Sequence, residues 1–451
     1  MAKGWEKTLV RRGGTLVGCS ANVEIILSNV REWKDVIAFD DFVDGPTMLK
    51  KPDWEGWDLD QLEKWTDDHT ASVRVYLARD HHLIASFSEV QEGVRRVARR
   101  KHVHPVRDYL KSLKWDKKKR LDEWLIKYAG VVDTVYARAV GAKFLISAIA
   151  RVFQPGCIAR AVPILEGEQL KGKSTLLRNL VPNEAWFLET GIDLGGLDSF
   201  QILRGKWLIE LAELDSLARS ELSRVKAYIS NRFDTYRKSY GVGHNDYPRQ
   251  CVFAGTTNSM EYLKDDTGAT RFWPVRISKI DIAGLVAVRD QLWAEAVARY
   301  KAGETWYLDD PKVQAFHALE AEERRQADTW EPAIVKWLAD NRKESPENYE
   351  EGVTTYEILT KALEMEIGRT TRGDEMRVGS ILRLLGWNNV HRAYRSKTFA
   401  RIWRKDPLKK PVNAPFTIVP SRENKAKAST DPEKPRKKNG KDGNGWYRKP
   451  E

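Results

Sequence analysis

Near the middle of the chain, Gly167-Glu168-Gln169-Leu170-Lys171-Gly172-Lys173-Ser174 fits the spacing GxxxxGK[ST]. Its flanks constrain it further, because the apolar run Val162–Leu165 reads as a buried strand and Thr175–Leu180 as a helix. A strand, a tight glycine-bearing loop and a helix N-terminus converge backbone N–H groups and the positive end of a helix dipole on one point. Phosphate fits that point. In this pattern Lys173 neutralises β and γ phosphates, and Ser174 offers its hydroxyl to Mg²⁺. Gly167, Glu168, Gln169, Leu170, Lys171, Gly172, Lys173, Ser174 and Thr175 are therefore the expected nucleotide-binding residues, with ATP and Mg²⁺ as cofactors. The bland alternative is a chance Gly-Lys-Ser turn, which the flanking strand and helix disfavour.

Further β-rich runs at Lys206–Glu210, Gln250–Ala254 and Arg271–Ile277 alternate with helices, which predicts a three-layer α/β domain over 156–310. Ser220–Arg232 reads as a helix capped by Ser220, with Leu222, Val225, Ile229 and Phe233 on one face. The second strand ends in Glu210 and Glu213, where one carboxylate can join Ser174 around Mg²⁺ and another can orient water. Alternate strand residues face opposite sides, so both acids reach one site only if the chain bends after Leu211. The third strand ends in Thr256-Thr257-Asn258, whose amide could bond a γ phosphate or the attacking water. An ordinary strand-to-turn sequence would look the same.

Thr235 to Arg249 reads as two short strands around a Gly-rich turn. Arg237, Lys238, His244 and Arg249 suit phosphate contact, and Tyr236, Tyr240 and Tyr247 suit base stacking, as in sequence-tolerant single-strand binding. A solvated hairpin is the competing account. Arg271 follows a flexible turn at the entry to a strand. Arginine suits transition-state charge on a transferred phosphoryl group, although composition alone favours a structural salt bridge.

The 451 residues carry 76 Lys+Arg against 64 Asp+Glu, a net charge of +12, which favours an anionic partner. Part of the excess lies in 421–451, where ten basic and five acidic residues with few apolar ones predict a disordered basic arm. Around the α/β domain we expect an N-terminal α+β region (1–104, rich in Trp and acids, of unknown role) and a helical collar (105–155). A helical linker or lid (311–343), a winged-helix-like DNA-binding domain (344–405) and a basic tail (406–451) follow. Cys19, Cys157 and Cys251 are too far apart for a CxxC cluster, so neither a disulfide framework nor a structural zinc is expected. No apolar run reaches the ~18 residues of a membrane span and the N-terminus lacks a signal-peptide core, so a cytoplasmic protein without membrane contact is expected.

The motifs PGCIARAVPILEGEQLKGKSTLLRNL, GKWLIELAEL, VKAYIS, YPRQCVFAGTTN, DDTGATRFWPV and DQLWAEAVARY, in that order, resemble the virulence-associated protein E family. That family occurs in phages and bacterial mobile elements and is similar to superfamily 3 helicases with a P-loop AAA+ core. The resemblance, over roughly 100–310, implies that Gly167–Ser174 is Walker A, that Glu210 and Glu213 stand at Walker B, Asn258 at sensor 1 and Arg271 at an arginine finger acting in trans. It implies a homo-oligomeric ring, a hexamer, with the hairpin Tyr236–Tyr247 lining its channel and Lys238 and His244 meeting DNA. The implied activity is that of an ATP-dependent helicase or translocase on single-stranded and forked DNA, working in a bacterial host cell beside a primase or replication initiator. A switch or loader without unwinding, and a DNA-binding regulator with a vestigial P-loop, are the alternatives. Leu170-Lys171 replaces a glycine-richer loop of the family, and Thr270-Arg271 a paired Arg-Arg.

Overall fold

The computed structural model describes residues 4–57, 63–190, 199–213, 219–237, 243–259, 262–263, 270–325, 328–344, 346–395 and 398–405. The first segment has its own core. A short hairpin, β1 (Arg11–Arg12) and β2 (Thr15–Leu16), precedes helix α1 (Ser20–Asn29). Strands β3 (Ile37–Asp40), β4 (Gly45–Met48), β5 (Glu63–Lys64) and β6 (His102–Val103) form a sheet in the order β5-β4-β3-β6. Helices α2 (Asp67–His81) and α3 (Phe87–Ala98) complete the module, starting where the Thr66 and Ser86 hydroxyls accept N–H groups of their first turns. Val23, Ile26 and Leu27 of α1 meet Val90 and Val94 of α3 at helical spacing, with Trp33 and Tyr76 filling the rest.

Helices α4 (Pro105–Ser112), α5 (Trp124–Ala129) and α6 (Val135–Phe153) come next. They do not stand apart as a collar. α6 is apolar almost all round, with Val140, Phe144, Leu145, Ile149 and Val152 buried, and such a helix must be covered on every side. It shares one core with the sheet that follows.

That sheet is parallel, with strands β7 (Val162–Glu166), β8 (Phe187–Thr190), β9 (Leu208–Leu211), β12 (Val252–Thr257) and β13 (Phe272–Arg276) in the order β13-β7-β12-β9-β8. Helix α7 (Lys173–Leu180) follows β7, and α8 (Arg219–Ser230) leads into an antiparallel hairpin, β10 (Phe233–Tyr236) and β11 (Asn245–Pro248). Helices α9 (Ile282–Lys301) and α10 (Pro311–Glu323) close the domain. Side chains alternate between its two faces: Leu208, Val252, Ala254 and Val275 pack with α6, α7 and α9, while Val162, Ile164, Ile209 and Phe253 pack with α8 and α10. Strands covered on both faces read as continuous apolar runs.

Some expectations need correction. Ser220 lies inside α8, which starts at Arg219, so it is not the cap. Phe233 has left the helix for β10 and is 46% exposed. The boundary expected at 310 falls beyond Arg325: Ala321 joins the core under the sheet and buried Arg324 pairs with Glu166 at the end of β7. Strand β8 was not expected, because Phe187–Thr190 is too short and mixed for its period to stand out.

The last module contains α11 (Glu331–Glu344), α12 (Pro346–Glu351), α13 (Thr355–Glu357, continued as a π-helical turn to Ala362) and α14 (Arg372–Leu384). An antiparallel hairpin, β14 (Trp387–Arg395) and β15 (Thr398–Lys405), completes it. Ile334, Ile358, Val378, Ile381, Trp387 and Trp403 make its core. Among the described residues no helix is long and apolar enough to cross a membrane.

Candidate functional site

The C-terminal ends of the parallel strands carry the polar side chains, which is where open α/β sheets place their sites. Gly172 ends the loop after β7 in the left-handed region, at φ 85°, which a glycine adopts without strain as the chain turns into α7. Leu170 holds φ 63° and is 97% exposed, and Glu168, Gln169 and Lys171 are also exposed. Lys171 pairs with Glu168 at 3.1 Å.

Lys173 starts α7 and is buried against the loop. Its Nζ donates to the carbonyls of Gly167 (2.7 Å) and Glu168 (2.9 Å) and to Asn258 Oδ1 (2.8 Å), just past the end of β12. Ser174 Oγ donates to Glu210 Oε1 at 2.7 Å, and Thr256 Oγ1 donates to the same oxygen at 2.7 Å. Glu210 is fully buried on β9, beside Ala254 of β12 and Glu189 of β8. Among the described residues its Oε2 has no hydrogen-bond partner. Desolvation pushes the Glu210 carboxyl above its usual pKa, and the bonds from Ser174 and Thr256 oppose that shift. Four chain segments thus meet within hydrogen-bond reach: the loop, the start of α7, β9 and the end of β12.

Glu213, two residues past the end of β9, is exposed and holds φ 53°. Strand β9 ends at Leu211, so the chain does bend after that residue, as both acids reaching one site would require. Thr175 is exposed on the first turn of α7. Arg271 lies at the opposite end of the sheet. Its carbonyl accepts from Val162 N at the start of β7 (2.8 Å), and its Nε donates to Ser230 Oγ (2.9 Å). A five-residue strand, ~16 Å of chain, separates that level from the loop. The guanidinium therefore cannot serve the loop of its own chain.

Arg249 requires a correction. It is buried, donates to Asp234 through two nitrogens and to the Tyr228 carbonyl through a third, so it is unavailable to phosphate. Tyr236 is likewise buried and stacks on Tyr247 with centroids 4.5 Å apart, while Arg204 covers the Tyr247 ring at 5.8 Å. These groups build the root of the hairpin. Arg237 and His244 are exposed toward its open end; Lys238 and Tyr240 lie outside the described residues. Removing one partner of a buried pair strands the other, so Arg249→Ala should cost about 3–5 kcal/mol. Chemical denaturation of the full chain measures that loss.

Sequence reasoning overlooked Glu166 and Arg324. Glu166, immediately before the loop, accepts from Tyr262 Oη (2.8 Å) and from Arg324 Nε (2.9 Å) and Nη2 (3.0 Å). This buried network ties the strand end under Lys173 to the segment after Asn258 and to the end of α10. An acid closing an apolar strand, Val-Pro-Ile-Leu-Glu, is a signal that its charge needs a buried partner.

The α/β fold and the strand-end polar cluster define a class, a parallel-sheet domain with a loop-to-helix site. Residues 110–327 match the family model of the virulence-associated protein E-like domain. No curated protein matches the chain. Among solved structures, the A form apo structure of NrS-1 C terminal region aligns at TM-score 0.43 and 14% identity, covering 82% of this chain and 96% of that chain. The apo structure of NrS-1 C terminal region aligns at TM-score 0.44 and 14% identity, with the same coverage.

Proposed function

We propose that the chain is an ATP-dependent DNA translocase or helicase with a P-loop AAA+ core, acting in the replication of a phage or mobile element. One observation carries the proposal: Lys173 bonded to Asn258, beside Ser174 bonded to Glu210, at the C-terminal ends of adjacent parallel strands. The residues fit a magnesium nucleotide. Glu210 offers a buried carboxylate oxygen that has no partner among the described residues, and the Ser174 hydroxyl beside it supplies a second oxygen of the hard type Mg²⁺ prefers.

Bound Mg²⁺ would screen phosphate charge, and the chain's own groups do the rest. Lys173 exchanges its carbonyl partners for β and γ phosphate oxygens. Asn258, which shares the lysine, feels that exchange directly and passes it along β12. Upstream of β12 lies the hairpin β10–β11, whose exposed Arg237 and His244 are positioned to follow a DNA strand. Glu213, on its exposed turn, is the candidate to orient water, which leaves Glu210 for the metal.

The position of Arg271 favours a ring in which it completes a neighbour's site. The three-helix core and two-stranded hairpin of the last module support a winged-helix reading, and the basic composition of 390–405 supports DNA contact by it. Mixing Arg271→Ala protein into the native chain tests the shared site. DNA-stimulated ATP hydrolysis should fall more steeply than the fraction of native subunits. A strictly proportional fall would mean independent sites, and hydrolysis without unwinding of a forked duplex would make the protein a switch or loader.

A further inference from the structure

Five lysines crowd a surface that neither the strand-end site nor the hairpin uses. From the last turn of α4 toward α5 the chain reads Lys111-Ser112-Leu113-Lys114-Trp115-Asp116-Lys117-Lys118-Lys119-Arg120, and every lysine in it is exposed. A basic run is ordinarily a loose, solvated face. This one is pinned. Trp115 Nε1 donates to the Lys118 carbonyl (3.1 Å), and Asp116 accepts from Lys118 N (2.9 Å). From α9, Gln291 donates to the Lys114 carbonyl (3.2 Å) and accepts from Asp116 N (2.9 Å). Buried Glu295, also on α9, accepts the N–H groups of Arg120 (2.6 Å) and Leu121 (3.0 Å). Within this frame Lys117 is held at φ 66°, a region that side-chain-bearing residues seldom adopt.

The nearby carboxylates are committed elsewhere. Both oxygens of Asp116 face Arg120 at 2.7 Å, Asp290 accepts from Tyr109, Asp122 pairs with Arg299, and Glu123 pairs with Lys127 and Arg138. Among the described residues no ion pair involves Lys111, Lys114, Lys117, Lys118 or Lys119. The fold therefore uses hydrogen bonds from α9 and from within the loop to hold a group of mutually repelling charges in one place, which stability alone would oppose.

We propose that this lysine knuckle binds the sugar–phosphate backbone of nucleic acid, as a second contact separate from the hairpin. Lysine is a point charge that meets phosphate without reading sequence, and an array of them releases counterions from a polyanion. A lipid surface suits the knuckle less well, because no large apolar side chain between residues 105 and 120 is exposed for insertion and the half-buried Trp115 indole is bonded to the Lys118 carbonyl of its own loop. A protein partner is also disfavoured, since lysine is depleted at protein interfaces.

The surface does not depend on hydrolysis, so it can be tested in the full chain carrying Lys173→Ala. Binding of labelled single-stranded and duplex oligonucleotides is measured by fluorescence anisotropy over a KCl series, with and without Lys117→Gln, Lys118→Gln and Lys119→Gln together. The triple change should lower the slope of log affinity against log salt by roughly 2 and weaken binding about tenfold at 0.1 M KCl. The corresponding triple arginine change should retain both. Unaltered slope and affinity for both oligonucleotides would overturn the proposal, as would a loss confined to phosphatidylserine vesicles, which would assign the surface to lipid. Failure of the ATPase proposal looks different: the native chain would not hydrolyse ATP, while the salt effect of the knuckle would persist.

Discussion

Lys173→Ala is expected to lower ATP turnover by at least ~10²–10³-fold, the effect of removing a preorganised group that meets charge developing in the transition state. The expectation rests on geometry. The Lys173 ammonium is already held inside the loop by two carbonyls and by Asn258, so a phosphate finds it oriented and largely desolvated. Phosphate release at saturating ATP is the direct measurement. Lys173→Arg is the sharper control, because it keeps the charge but not the compact ammonium that fits between Gly167 and Asn258. If Lys173→Ala hydrolyses ATP at the native rate, the loop is not the phosphate site and the proposed ATPase falls with it.

Glu210→Gln should show a second large effect of opposite character on stability and activity. Hydrolysis should drop by about 10²-fold or more, because the amide cannot supply the anionic oxygen expected of a Mg²⁺ site. Without nucleotide the variant should melt higher than the native chain at neutral pH. Burial raises the Glu210 carboxyl pKa above its unfolded value, so folding favours the protonated form. The penalty on ionised Glu210 is absent below the unfolded pKa and grows as pH rises through the folded one. Glutamine removes that penalty, and the gap in melting temperature between variant and native chain should close as pH falls. Added Mg-ATP should reverse the order, raising the melting temperature of the native chain and leaving the variant nearly unmoved. Thermal melts across pH, with and without Mg-ATP, read both signs.

Much of the strand-end cluster was legible because local sequence encodes it. GxxxxGKS needs only the order strand, loop, helix, and Glu210 and Asn258 each close an apolar run. Thr256 was harder to assign. Its bond to Glu210 depends on the register that sets Ala254 beside Glu210, and register between strands over forty residues apart leaves no local trace. Arg249 shows the reverse error. On a sequence an arginine beside tyrosines resembles a nucleic-acid contact, yet Asp234, fifteen residues earlier, becomes its partner once the hairpin closes.

What the amino-acid sequence by itself determined is the part built from short-range rules: the loop and its helix, four of the five core strands, the helical and basic end modules, and the family carried by the motif order. Only the tertiary structure decided where those parts go. It merged α6 and α10 into the sheet's core, because their apolar faces find cover only there. It joined Glu166 to Arg324 across 158 residues, since a buried carboxylate must find a cation wherever the packing brings one. It placed Arg271 a strand's length from the loop after β7 of its own chain, and it pinned a run of lysines by bonding it to α9. Periodicity and spacing report what neighbouring residues do together; the partnerships that shape this protein's sites form between residues that meet only after the chain has folded.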